Sequence, residues 1–314
     1  MFIVSLGVGE WFITFLILLC LACGNSSPKS DDGGTLSLSE VNDYAYWLNG
    51  PDLDQLGESA YDLLVIDYSS DGSEEGAFSA GEIETLKNSS GGPKIVLAYM
   101  SIGEAENYRF YFDPTAGYLD AENPDWPGNF KVHYWESDWQ EVIFDYTDQL
   151  IAAGFDGIYL DIIDAYEYYG PGGESGMERG SAGEEMIDFV LAIAERARNE
   201  NPDFLVFPQN AVAILDEPGG NDYLETVDGV GTESTFYFGE KDGDNDLDLE
   251  NAAQVTPYLD RFVSAGKVVL SVDYVQDPDK VADFYERAGA RGYIPYASVR
   301  ELDRLIVNEG FEPD

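Results

Sequence analysis

The chain has 314 residues, 61 acids against 16 bases and one histidine, and a formal charge of −45. That length suffices for one large domain with a well-buried core, and that charge excludes nucleic acid and anionic lipid surfaces as partners, since both would repel it. The acids are spread along the whole sequence, so a solvated shell suited to high salt and a surface meant for a cationic ligand account for them equally well.

Residues 11–22, WFITFLILLCLA, are too short for a comfortable membrane span and match the core of a signal peptide. Leu21-Ala22-Cys23 follows, then a polar, small-residue stretch. This pattern predicts a leader over 1–22, lipid attachment at Cys23, a flexible tether over 23–43 and one folded domain over 44–314. The expected location is outside the cytoplasm, in the cell envelope or secreted, with the membrane reached only through the lipid. Both cysteines lie in this region, which leaves the domain no disulfide, thiol nucleophile or cysteine metal site. A monomer without cofactor or metal is expected.

From residue 44 short apolar strands alternate with helical patterns, the signature of a parallel sheet. The strands are read at 45–48, 63–67, 94–102, 157–161, 205–207, 227–235, 268–274 and 292–298. Between the third and fourth, Trp139, Val142, Ile143, Tyr146, Leu150 and Ile151 share one helical face that Gly154 ends. Ser181 and Glu184 form a capping-box pattern ahead of a helix carrying Met186, Phe189, Val190, Ile193 and Ala197. Asp277-Pro278 opens another helix, and Ser298 with Glu301 predicts a last one through Leu302, Leu305 and Ile306. Eight strand units with no glycine-rich phosphate turn after the first argue for an α/β fold of the (β/α)8 TIM-barrel type, as a single domain.

Active sites of such barrels lie at the C-terminal ends of strands. Those positions hold Asp67, then Tyr99 and Ser101 with Glu104 just beyond, Asp161, Gln209 and Asn210, Glu233, and Asp273 with Tyr274. Tyr159 and Asp164 flank Asp161, and Arg109 in SIGEAENYR either reaches substrate or pairs with Glu104 or Glu106 as scaffolding. The loop that follows carries Tyr108, Tyr111, Phe112, Tyr118, Trp126, Phe130, Tyr134 and Trp135, flat faces suited to pyranose rings. With His133 as the one histidine and no GxSxG turn, hydrolase triads and histidine-ligated zinc are set aside. Paired-carboxylate chemistry remains, and glycoside hydrolysis needs two acids. Asp161 and Glu233 leave strands two apart in the ring and can face each other. Asp242, Asp244, Asp246 and Asp248 resemble the start of a calcium loop, but Leu247 and Ala253 stand where glycine and glutamate are needed, so a solvated acidic loop is expected.

AYMSIGEAENYR, GFDGIYLDIIDAY, PQN, GTES, SVDY and GYIPYAS, in this order from about Tyr46 to Leu305, resemble the glycoside hydrolase family of endo-α-1,4-polygalactosaminidases and their bacterial and archaeal relatives. The resemblance implies a (β/α)8 barrel and places the catalytic pair at Asp161 and Glu233. By analogy with other α-glycosidase barrels it makes Asp161 the nucleophile and Glu233 the general acid/base. The implied substrate and partner is an amino-sugar polysaccharide. A non-catalytic barrel binding glycans or another envelope component at the same mouth is the alternative.

Overall fold

A computed structural model describes residues 36–239 and 243–314. The leader, Cys23 and Asp242 lie outside the described residues. Met1–Gly33 and Gly34–Asp314 divide as separate units, and the second carries the strands and helices of the domain. Its beginning, 36–43, read above as the end of a tether, packs on the domain. Val41 is buried, and the N–H of Asn42 donates to Asp62 Oδ2 at 2.9 Å.

Eight parallel strands carry the architecture: β1 (Tyr44–Trp47), β2 (Leu63–Ile66), β3 (Ile95–Ser101), β4 (Gly157–Asp161), β5 (Leu205–Pro208), β6 (Gly229–Glu233), β7 (Val268–Asp273) and β8 (Ile294–Ala297). They are short and apolar on both faces, as strands enclosed by helices outside and side chains inside must be. β1 to β5 pair in sequence order, as do β6 to β8. A parallel bridge between Gln209 and Gly231 joins β5 to β6. Between β8 and β1 the contact is by side chains, with the Tyr44 and Tyr296 rings 5.6 Å apart. This is the (β/α)8 barrel arrangement, its ladder running over five strands and three.

The crossovers hold helices α1 (Leu53–Glu58), α2 (Ala80–Lys87), α3 (Ser137–Ala152), α4 (Ala165–Tyr169), α5 (Ala182–Glu200), α6 (Gly220–Thr226), α7 (Leu249–Ser264) and α8 (Pro278–Gly289). α3 buries Trp139, Ile143, Tyr146 and Leu150, the stripe its spacing announces, and Gly154 leaves the helix at φ +86°. Asp277 caps α8 through the N–H groups of Asp279 and Lys280. Between β3 and α3 the chain forms an antiparallel sheet of Glu104–Glu106, Leu119–Glu122 and Asn129–Val132, with the middle place taken by 129–132.

Two sequence expectations fail. Ser181 precedes α5 without capping it through its side chain, because its backbone (φ −102°, ψ 4°) departs from the extended form a capping hydroxyl needs. No helix follows β8. Leu302 sits at φ +44°, and its carbonyl accepts the N–H groups of Leu48 and Asn49 at 2.9 Å each. Further on, the Ile306 carbonyl accepts the Tyr61 hydroxyl and its N–H donates to Tyr296. The tail thus ties β8 to the start of the barrel, and those bonds outweigh the local preference of Ser298 and Glu301.

Candidate active site

Parallel neighbours in register share a face, so parity along the strands decides which exit residues meet. Ser101 pairs with Asp161 and Tyr99 with Tyr159; Gly231 pairs with Leu270 and Glu233 with Val272. Asp161 accepts the Tyr99 hydroxyl on Oδ2 at 2.6 Å. Glu233 is held from two strands. Asn210 Nδ2 donates to its Oε2 at 3.0 Å, the Glu233 N–H donates to Asn210 Oδ1 at 2.9 Å, and the Tyr274 hydroxyl makes a short bond to Oε1. Gln209 Oε1 accepts the Tyr46 hydroxyl at 2.9 Å.

The backbone leaves each of these exits abnormally. Ile162 (φ 59°), Asn210 (58°), Ala211 (49°) and Ser234 (52°) occupy the left-handed region, which costs a non-glycine residue about 1–3 kcal/mol. Three of them adjoin Asp161, Gln209 and Glu233. A β-branched residue after Asp161 is held there by tight packing: a Cβ on Gly103 would lie 2.3 Å from the Ile162 carbonyl oxygen and 2.6 Å from its Cγ2. This close approach explains the glycine in SIGEAE.

Burial raises the Asp161 carboxyl to about 8; the charge of Glu233 adds to the rise, while the Tyr99 hydroxyl and the Ile162 N–H oppose it. The two carboxylates therefore titrate as one coupled system that retains a proton at neutral pH. At the rim, Asp164 is exposed to solvent yet closely surrounded, as in a concavity. That crowding, then the charges of Glu167 and Glu104, push it up to about 6, with Lys131 opposing. Glu104 itself is buried; Oε1 accepts Asn123 Nδ2 at 2.9 Å and faces Lys131 Nζ at 3.4 Å, while Oε2 has no partner. Among the described residues no three His, Cys, Asp or Glu side chains gather as a metal site.

Four residues expected at the substrate are placed elsewhere. Asp273 is fully buried because its neighbour Val272, not it, shares the face of Glu233. Its oxygens accept the N–H groups of Thr235, Phe236 and Tyr237 at 2.8, 2.9 and 2.8 Å and so shape the loop after Glu233. Burial raises it to about 7 against those three donors. Arg109 is buried too: it grips Asp67 with two bonds (2.9 and 2.7 Å) and Glu106 with a third (2.7 Å), which also takes Asp67 away from the mouth. Tyr159 lies beneath the pair with no solvent contact. Ser101, also buried, accepts the Glu104 N–H through Oγ at 3.2 Å. Of the aromatic loop, Tyr108 and Trp126 are exposed, whereas Tyr118 and Tyr134 are core. Sequence reasoning left out Glu106 and Tyr46 as parts of this machinery. The signal was present in both, the first being three residues before Arg109 and the second two before the exit of β1.

The profile of glycoside-hydrolase family GH114 matches residues 27–310. A Thermotoga maritima protein described as uncharacterised is 40% identical over 319 aligned positions, covering 96% of this chain and 94% of its own. A Methanocaldococcus jannaschii protein, described likewise, is 40% identical over 277, covering 83% and 77%. Among solved structures, the glycoside hydrolase domain of PelA from Pseudomonas aeruginosa superposes with a TM-score of 0.62 at 18% identity, covering 85% of this chain and 98% of that domain. Ega3 from Aspergillus fumigatus, solved in complex with galactosamine, gives 0.62 at 18%, covering 87% and 97%. At such identities the two structures attest the fold.

Proposed function

The chain belongs to glycoside-hydrolase family GH114, and on that premise we propose that it cleaves an α-1,4-linked galactosamine-type polysaccharide, from within the polymer, using Asp161 and Glu233. The observation that carries this reading is the pair itself. Two carboxylates on one face of β4 and β6, each held by its own tyrosine, share a proton near neutral pH. A surface that merely binds glycans has no use for such coupling.

In this mechanism Asp161 attacks the anomeric carbon as the carboxylate while Glu233 gives its proton to the departing glycosidic oxygen. The bond from Asp161 Oδ to carbon forms as the carbon–oxygen bond breaks. Glu233, now ionised, takes a proton from water, whose oxygen displaces Asp161 and restores both groups. Before attack the retained proton must sit on Glu233. An ammonium group of the substrate close to Asp161 favours its charged form and moves the proton across. The acids at the rim, Asp164 and Glu167 with Glu104 behind them, suit the same cation. So does the charge of −45, and Ega3, which shares the fold, was captured with galactosamine. The apolar segment 11–22 and Cys23 support export, with a lipid on Cys23 as the anchor.

The test is product mass after incubation with a partly deacetylated α-1,4-galactosamine polymer and with its fully N-acetylated form. The parent should release oligomers from the first and far less from the second. Asp161→Asn should release none, and azide should restore cleavage to Glu233→Ala, with the configuration of the azide product reporting which acid attacks. Equal cleavage of both polymers would remove the cationic substrate; unchanged activity in both variants would remove the pair. Binding of oligomers without cleavage by the parent would make the chain a glycan-binding barrel.

A further inference from the structure

Four tyrosines surround the two carboxyls. The hydroxyl of Tyr99 serves Asp161, that of Tyr274 serves Glu233 and that of Tyr46 serves Gln209. The hydroxyl of Tyr159 is buried and has no hydrogen-bond partner. A buried unsatisfied donor costs about 1–3 kcal/mol and needs an explanation.

Its position supplies one. A Cβ on Gly231 would lie 1.7 Å from the Tyr159 hydroxyl oxygen, so this hydroxyl occupies the space of the side chain that Gly231 lacks. Gly231 precedes Glu233 by two residues on β6, as Tyr159 precedes Asp161 on β4. Residues two apart on a strand point the same way and stand about 6.5–7 Å apart. The hydroxyl is therefore one pleat beneath both carboxyls, at a separation one water can bridge with two bonds of about 2.8 Å. A buried water needs two to four polar partners, and the hydroxyl with two carboxyls supplies three.

We propose that Tyr159 is a positioning residue for the catalytic pair, its hydroxyl holding one buried water beneath Asp161 and Glu233 through which the carboxyls exchange their proton. This rests on the reading of Asp161 and Glu233 as the glycosidase pair and supplies the transfer that reading requires. The groups around the hydroxyl are Tyr44 and Tyr46 from β1, Tyr99 from β3, Asp161 from β4, Gln209 beyond β5, Glu233 from β6 and Tyr274 beyond β7. Burial, then the charges of Glu233 and Asp161, raise the Tyr159 hydroxyl well above its ordinary value, which keeps it a neutral donor throughout the working range.

Tyr159→Phe tests this, since it keeps the ring packed against Tyr46, 5.3 Å away between centroids, and removes only the oxygen. The first measurement is carbon-13 NMR titration of labelled Asp and Glu carboxyls in the free protein. The upper step of the pair should rise by about half a unit or more in the variant, because the ionised form loses solvation from below. The second is kinetics on the polymer the parent cleaves. kcat should fall about tenfold with KM within about twofold, and the pH–rate limb governed by the pair should move with the titration. Thermal stability should hold or rise. An unmoved titration step, with or without a loss of stability, overturns the proposal and leaves Tyr159 as packing. Because the titration needs no turnover, it decides the proposal even if the parent cleaves nothing, a result that would count against the glycosidase reading alone.

Discussion

Replacing Asp161 by Asn should abolish turnover and make the protein more stable, by an amount that grows with pH. Asp161 is ordinarily an acid of value 3.8, and the barrel raises it to about 8. A raised carboxyl gives the native state more protons than the unfolded chain between these values, so stability falls as pH climbs from about 4 to about 8 and is constant above. The interval of about 4 units, at about 1.4 kcal/mol each, sets an upper bound of about 6 kcal/mol. The proton is shared with Glu233 and the carboxyl touches the solvent of the mouth, so about half, ~3 kcal/mol, is expected. Asparagine stays neutral, keeps an oxygen for the Tyr99 hydroxyl and offers an amide toward Glu233. Urea unfolding followed by tryptophan fluorescence at pH 4, 6 and 8 would read this directly. The variant should match the parent at pH 4 and exceed it by about 3 kcal/mol at pH 8. Equal stability at all three values would refute the claim that burial and Glu233 hold a proton on this carboxyl.

Two further substitutions probe the support of the pair. Gly103→Ala would press on the carbonyl and Cγ2 of Ile162 (2.3 and 2.6 Å) and displace the turn that carries Asp161. Turnover should drop at least about tenfold, at a stability cost of about 1–3 kcal/mol, measured by initial rates and thermal melts. Asp273→Ala would strand the N–H groups of Thr235, Phe236 and Tyr237. A loss of about 3 kcal/mol or more is expected, with faster proteolysis between residues 235 and 247; a variant as protease-resistant as the parent would show that the loop does not depend on this carboxylate.

Much of this was legible in the chain because buried parallel strands must be apolar runs and their exits must be polar. LLVI, IVLAYMS and GIYLD are strands in any context that covers both faces, and the helical stripe from Trp139 to Leu150 fits only a helix packed on one side. Asp161 and Glu233 followed from their places at strand ends. The acids themselves show where local reading stops. Asp62 and Asp67, Asp156 and Asp161, Asp228 and Glu233 each stand five residues apart, one at either end of a strand. In sequence the members of each couple are equivalent. In the barrel the first of each accepts a backbone N–H, from Asn42, Val96 and Val206 at 2.9, 2.8 and 2.8 Å, with Lys87 on Asp156 and Arg198 on Asp228. Of the second members, Arg109 neutralises Asp67 from 42 residues away, and only Asp161 and Glu233 are left to each other. Parity decided that Asp273 turns from the mouth, depth that Tyr159 lies under it, and a carbonyl at Leu302 that no eighth crossover helix forms. Composition and periodicity report what a residue prefers from its neighbours along the chain. Which charge meets which is set by strand direction and register, and those exist only once the barrel has closed its contacts.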